Sequence, residues 1–181
     1  MSRRDETVVA LILSVFRLNG QLIDAGNRLV LDIGLTSAWW QVLGALDLSP
    51  VPLPVAHIAR NMGLSRQSVQ RVADLLAEKG LVQFEPNPHH QRAKLIVLTP
   101  RGRAAAKRAE ERQRPWARDI TAGLSLERIS TALEVLTHMN KHLAQAAGAT
   151  DEDFTGRSND AYVAGTGRAR VNPGPTEGQE R

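Results

Sequence analysis

The sequence predicts a mainly α fold carrying one β-hairpin. Three observations support this. Apolar residues recur at three- and four-residue steps over long stretches near both ends of the first 148 residues. Two short helix-like segments meet at Gly63 in the middle of the chain. Two apolar runs, 81–84 and 95–98, flank a stretch holding the turn-formers Pro86, Asn87 and Pro88.

Residues 7–31 read as a long helix. Val8, Leu11, Ile12, Val15, Leu18, Leu22, Ile23 and Leu29 follow helical spacing, and Val9, Phe16 and Val30 widen the apolar surface past one stripe. A helix apolar over more than one face packs on more than one neighbour. A second copy of the chain, or another segment of it, would supply the second surface. Thr36 caps a helix over 37–46, with Trp39, Val42, Leu43 and Leu46 on one face. Residues 47–54 hold Pro50, Pro52 and Pro54 and read as a stiff connector. Pro54 leads into a helix over 55–62 that Gly63 ends.

Ser65 caps the next helix, which runs to about residue 79 and stops at Gly80. Its buried stripe is Val69, Val72, Leu75 and Leu76. Arg66, Gln67, Gln70, Asp74 and Glu78 lie away from that stripe, and Ser68 and Arg71 lie nearer its edges. The hairpin follows, with a long, partly basic tip. Thr99 and Pro100 then open a helix that Pro115 is expected to kink. Ser125 caps a last helix through Ile129, Leu133, Leu136 and Leu143, ending near Gly148. From 149 onward Gly and Pro rise and no period appears, so 149–181 reads as a disordered tail.

Composition narrows the function classes. A chain of 181 residues with 42% apolar and 23% charged residues is ordinary for a globular protein of one domain or two small ones. No uninterrupted apolar run approaches the ~20 residues of a bilayer span, and residues 1–6 lack a secretory pattern. No membrane partner is therefore expected, and the cytoplasm is the expected location. There is no cysteine, which excludes disulfides, thiolate ligands and thiol nucleophiles. The net charge of +4 is concentrated: residues 60–118 carry thirteen Lys/Arg against five Asp/Glu. A polyanion such as nucleic acid is the natural partner of that third of the chain.

The order of helix, Gly turn, helix and hairpin matches a winged helix-turn-helix. The major groove of B-DNA admits one helix, whose N-terminal part must offer polar side chains. Ser65, Arg66, Gln67, Ser68, Gln70 and Arg71 do so. Arginine suits guanine O6/N7, glutamine suits adenine N6/N7, and serine can bond phosphate or base.

Two stretches carry a family resemblance: IARNMGLSRQSVQRVADLLAEKGLV (residues 58–82) and NPHHQRAKLIVLTPRG (residues 87–102). In order and spacing, residues 7–147 resemble the MarR family of bacterial transcriptional regulators. The resemblance implies a winged helix-turn-helix DNA-binding lobe at 36–98 and a helical dimerisation region formed by 1–35 and 99–148. It implies a homodimer bound to double-stranded DNA, most often as a repressor on a near-palindromic operator. Arg92 resembles the wing arginine that enters the minor groove, and Lys94, Arg101 and Arg103 would sit near phosphates. The family wing usually carries Asp-x-Arg at its tip. Here His90 stands at the Asp position, which implies a less rigid wing and, with the imidazole protonated, added positive charge near DNA. A small-molecule effector often binds between the helical region and the lobe in this family. Phe16, Arg17, Trp39 and Trp40 are the lining residues that this implies, with core packing as the competing role for the tryptophans.

Other chemistries find less support. His138 and His142 stand four apart, a spacing that suits metal, but no third ligand accompanies them, and surface histidines fit as well. His89 and His90 likewise lack partners. No nucleophile–base arrangement, phosphate loop or cofactor motif is present, so no catalytic residue, metal or cofactor is assigned. The competing reading of the lobe is a winged-helix scaffold that binds protein without recognising a DNA sequence.

Overall fold

The computed structural model describes residues 1–90 and 92–146. The segment read as a tail, and the expected helix end at Gly148, lie outside the described residues. Six α-helices and a small sheet make up the described chain: α1 Arg3–Val30, a 3-10 turn Leu31–Ile33, α2 Ser37–Leu48, β1 Leu53–Pro54, α3 Val55–Met62, α4 Arg66–Glu78, β2 Val82–Glu85, β3 Leu95–Leu98, α5 Pro100–Ile120 and α6 Leu126–Ala146.

Helix α1 begins four residues before the expected start. Ser2 and Asp5 form a capping box: the Asp5 N–H donates to Ser2 Oγ at 3.2 Å and the Ser2 N–H donates to Asp5 Oδ2 at 2.9 Å. Bonding to Ser2 holds the Asp5 carboxyl below the usual carboxylate range. Thr36 caps α2 and Thr99 caps α5, each accepting a backbone N–H three residues on. Helix α5 continues through Pro115 to Ile120.

The sheet has three strands, one more than the expected hairpin. Strand β3 lies in the middle and pairs antiparallel with β2, placing Val82 opposite Leu98 and Phe84 opposite Ile96. On its other side it pairs with β1, with Leu53 opposite Ile96. The stretch read as a connector thus ends in a two-residue edge strand. Proline is tolerated there because an edge strand has one unpaired side.

One core joins these elements. Val30 from α1, Val42 and Leu43 from α2, Ile58 from α3, Val69 and Leu76 from α4 and Ile96 from β3 are all fully buried. Helix α5 contributes Gly102, Ala105, Ala106 and Ala109, small residues on one face that let it lie close to α2. At the far end of α1, Arg112 of α5 grips Asp32 with both Nε and Nη2. That bond lowers the Asp32 carboxyl below the ordinary range.

The terminal helices are different. In α1, Val8, Leu13, Phe16, Leu18 and Ile23 are exposed, and in α6 Leu126, Ile129, Leu133, Val135 and Leu143 are exposed. No residue of α6 is fully buried. By length and composition the helical stretch Arg3–Ile33 could cross a bilayer, with a window of mean hydropathy 1.5, none of it buried within the chain. Arg17, Asn19, Gln21 and Asp24 punctuate that stretch. A helix of this composition also suits burial against another protein surface.

Candidate nucleic-acid interface

Helices α3 and α4 meet at a tight turn. Gly63 takes φ +62°, a left-handed conformation in which it ends α3, and its N–H returns to the carbonyls of Ala59 and Arg60. Ser65 then caps α4, accepting the Ser68 N–H at 3.0 Å. The Ser65 and Ser68 hydroxyls lie 2.8 Å apart. Both serines are thus engaged in starting the helix. The buried stripe is Val69, Ala73 and Leu76, which turns the opposite face of α4 outward.

That outward face and the wing enclose an open groove. It is lined by Arg66, Gln67, Gln70, Arg71, Asp74, Leu75 and Glu78 of α4, by Arg92, Ala93 and Lys94 of the wing, and by Pro54, Val55, Ala56 and Phe84. Six of the eight residues assigned to DNA contact are brought together here. Ser65 and Ser68 are not among the lining residues, and neither are Arg101 and Arg103, which stand exposed on the first turn of α5. The groove holds four cations and two amides, and Gln70 is already oriented: its Nε2 donates to Asp74 Oδ1 at 2.8 Å. Sequence reading noted Asp74 and Glu78 only as residues off the buried stripe. The i,i+4 spacing of Gln70 and Asp74 is the signal that pairs them.

The wing tip is organised by Asn87 in place of an acidic side chain. The His89 N–H donates to Asn87 Oδ1 at 2.9 Å, the His90 N–H donates to the Asn87 carbonyl at 3.2 Å, and the His90 carbonyl accepts the Ala93 N–H at 3.1 Å. His90 therefore serves the turn through its backbone, and its side chain is exposed. At the root of the wing, Thr99 Oγ1 bonds the carbonyls of Gly80, at 2.7 Å, and Leu81, at 3.1 Å. This fixes the wing to the end of α4 and the start of α5.

Phe16, Arg17, Trp39 and Trp40 do not form one site within the chain. Trp39 and Trp40 are half-buried against the core, and Trp40 packs near Gly26 of α1. Phe16, 70% exposed, lies ten residues further up the helix, about 15 Å along its axis. The His138 and His142 rings lie against each other with centroids 4.4 Å apart and planes tilted by 55°. Among the described residues no group of three His, Asp or Glu side chains could hold a metal ion.

This fold, with its groove between an outward-facing helix and a wing, defines a winged helix-turn-helix protein. A MarR family model matches residues 33–93, from the 3-10 turn after α1 to the wing. The uncharacterized protein Rv2011c of Mycobacterium tuberculosis is 36% identical over 107 residues, which span 59% of this chain and 73% of that one. The HTH-type transcriptional regulator TcaR of Staphylococcus aureus is 34% identical over 105 residues, 55% of this chain and 68% of TcaR. The chain belongs to the MarR family of transcriptional regulators, a family of regulators and not of enzymes.

Two solved structures share the fold. A mutant of E. coli MarR complexed with operator DNA matches with a TM-score of 0.65 at 19% identity, over 77% of this chain and 99% of that one. CouR from Rhodococcus jostii, bound to p-coumaroyl-CoA, matches with a TM-score of 0.65 at 24% identity, over 73% and 91%.

Proposed function

We propose that the protein is a cytoplasmic, sequence-specific DNA-binding repressor that acts as a homodimer on a near-palindromic operator. The observation that carries this is the groove, where Arg66, Arg71, Arg92 and Lys94 surround Gln67 and Gln70. Cations there neutralise phosphates, while amides and guanidinium groups on α4 read base edges. Arg92, on the wing, enters the adjacent minor groove, where a narrow width concentrates negative potential. Ser65 and Ser68 bring the α4 N-terminus to a phosphate, since their hydroxyls are committed to its first turn.

In this reading residues 36–98 form the DNA-binding lobe, and 1–35 with 99–148 form the dimerisation region. The apolar faces of α1 and α6, which find too little cover within the chain, support that division. Two-fold symmetry then sets the two copies of α4 about one DNA turn apart, ~34–36 Å. A small-molecule effector binds beside Trp39 and Trp40, where α1 and α2 meet, and releases DNA by preferring a different lobe spacing. CouR, which shares this fold and is bound to p-coumaroyl-CoA, supports the reading that an effector is a small molecule.

The test is fluorescence anisotropy with the DNA upstream of the protein's own gene against a scrambled duplex, over a salt series. Tight binding to one duplex, weakening steeply with salt, is the expected result. If neither duplex is preferred, a random-sequence selection follows. Failure to enrich any sequence would overturn the reading in favour of a protein-binding scaffold.

A further inference from the structure

The groove contains an acidic side chain in direct contact with a proposed base-reading amide. Gln70 and Asp74 stand one turn apart on α4, both line the groove, and Gln70 Nε2 donates to Asp74 Oδ1 at 2.8 Å. A carboxylate near phosphates opposes DNA electrostatically, so its presence on this face is not explained by affinity.

Its effect on the amide supplies a reason. A glutamine amide turns readily about its last torsion, which is broad and roughly two-fold. An ionised carboxylate accepts hydrogen bonds but donates none. Turning the amide would set Gln70 Oε1 against Asp74 Oδ1, acceptor facing acceptor. The bond therefore commits one Nε2–H to Asp74 and leaves the second Nε2–H and Oε1 as a donor–acceptor pair. Adenine presents the complementary pair, N7 and the N6 amino group. Guanine presents two acceptors, N7 and O6, one of which would face Oε1.

We propose that Asp74 is a positioning residue for sequence recognition: it holds the Gln70 amide in the orientation that selects adenine, without touching a base itself. This rests on the reading above that Gln70 contacts a base edge.

The experiment uses the full chain and the operator obtained by selection, with single base-pair replacements across one half-site. Anisotropy titrations compare wild type, Asp74→Ala, Asp74→Asn, Gln70→Ala and the double variant Gln70→Ala/Asp74→Ala. Wild type should prefer A·T over G·C at one position per half-site by about 5- to 150-fold, the range for one bidentate pair. Asp74→Ala should reduce that preference to within about 3-fold while leaving the other positions unchanged. Asp74→Asn keeps the size of the side chain but can either accept from or donate to the amide, so it should relax the preference too.

In the Gln70→Ala background, Asp74→Ala should leave the relative preference among bases at that position unchanged, whatever uniform gain in affinity follows from removing the carboxylate. Retention of the preference in both Asp74 variants would overturn the proposal, as would an equal effect of Asp74→Ala on base preference with and without Gln70. If Gln70→Ala leaves every position unchanged, the base-contact reading itself falls and the positioning role with it. A uniform loss over all sequences would mark Asp74 as merely structural.

Discussion

Replacing Gly102 with alanine tests how tightly the wing is joined to the rest of the molecule. A Cβ at Gly102 would lie 1.9 Å from the Leu81 carbonyl oxygen, 2.9 Å from its carbon and 3.3 Å from Leu98 Cδ2. The Gly102 backbone is helical, so alanine is not strained by its torsions and the whole cost is the contact. The obstructing atom belongs to the backbone, and relief requires the strand root and α5 to separate by more than about 1 Å. That carbonyl also accepts from the Thr99 N–H and from Thr99 Oγ1, each at 3.1 Å, and separation breaks both bonds. Overpacking costs about 1–3 kcal/mol, and each lost hydrogen bond costs about 1 kcal/mol. The sum, about 3–5 kcal/mol, should lower the melting temperature by roughly 12 °C for a chain of this size.

Thermal unfolding followed by far-UV circular dichroism, at one fixed protomer concentration because association shifts the midpoint, measures this. Gly44→Ala is the control. Gly44 lies in α2 with open space where a Cβ would go, so alanine should stabilise by about 0.5–1 kcal/mol. A Gly102→Ala protein melting within about 2 °C of wild type would refute the packing argument.

Three further predictions concern other parts of the chain. Arg92→Ala should weaken binding most on operators with A·T-rich flanks, measured on duplexes that differ only there; an equal loss on all flanks would remove the minor-groove role. Leu133→Glu places a charge on the exposed apolar face of α6 and should raise the dimer dissociation constant at least about 100-fold. Sedimentation equilibrium would show this as a shift toward monomer, and an unchanged mass would exclude α6 from the interface. The Asp32 carboxyl is held below the ordinary range by its bond to Arg112. The pair thus stabilises the fold above the unfolded carboxylate value and ceases to do so as pH falls through the lowered one. The gap in melting temperature between wild type and Arg112→Ala should be open at neutral pH and narrow as pH falls below the ordinary carboxylate range; a constant gap would contradict the linkage.

The lobe was legible in the sequence because its punctuation is local. Gly63 and Gly80 end helices with positive φ, and Ser65 and Thr99 accept the backbone N–H three residues on. Each of these needs only neighbouring residues to act. Strand β1 was not legible, since two residues among prolines become a strand only when β3 arrives from forty residues away. The early start of α1 was legible in principle, as Ser2 and Asp5 have the spacing of a capping box. The effector-lining residues are spread along the chain for a different reason. Four aromatic and charged residues can share a family role, yet helical rise separates Phe16 from the contact between Trp40 and Gly26. In the groove, residue types revealed the cations and amides, while the contact between Gln70 and Asp74 required side-chain geometry.

Besides its packing through Gly102, Ala105, Ala106 and Ala109, helix α5 is hydrogen-bonded to its neighbours at two points, and the distance between them has a mechanical consequence. Thr99 locks its first turn to the wing root, and Arg112 ties its middle to Asp32 in the 3-10 turn that follows α1. Thirteen residues of helix separate the two, an arm of about 20 Å. Pivoting α5 by about 5° around the Arg112 end carries the Thr99 end through about 1.7 Å. Hydrogen bonds to base edges do not survive a displacement of that size. A modest angular adjustment of α5 would thus be amplified by leverage into travel of that size at the wing root.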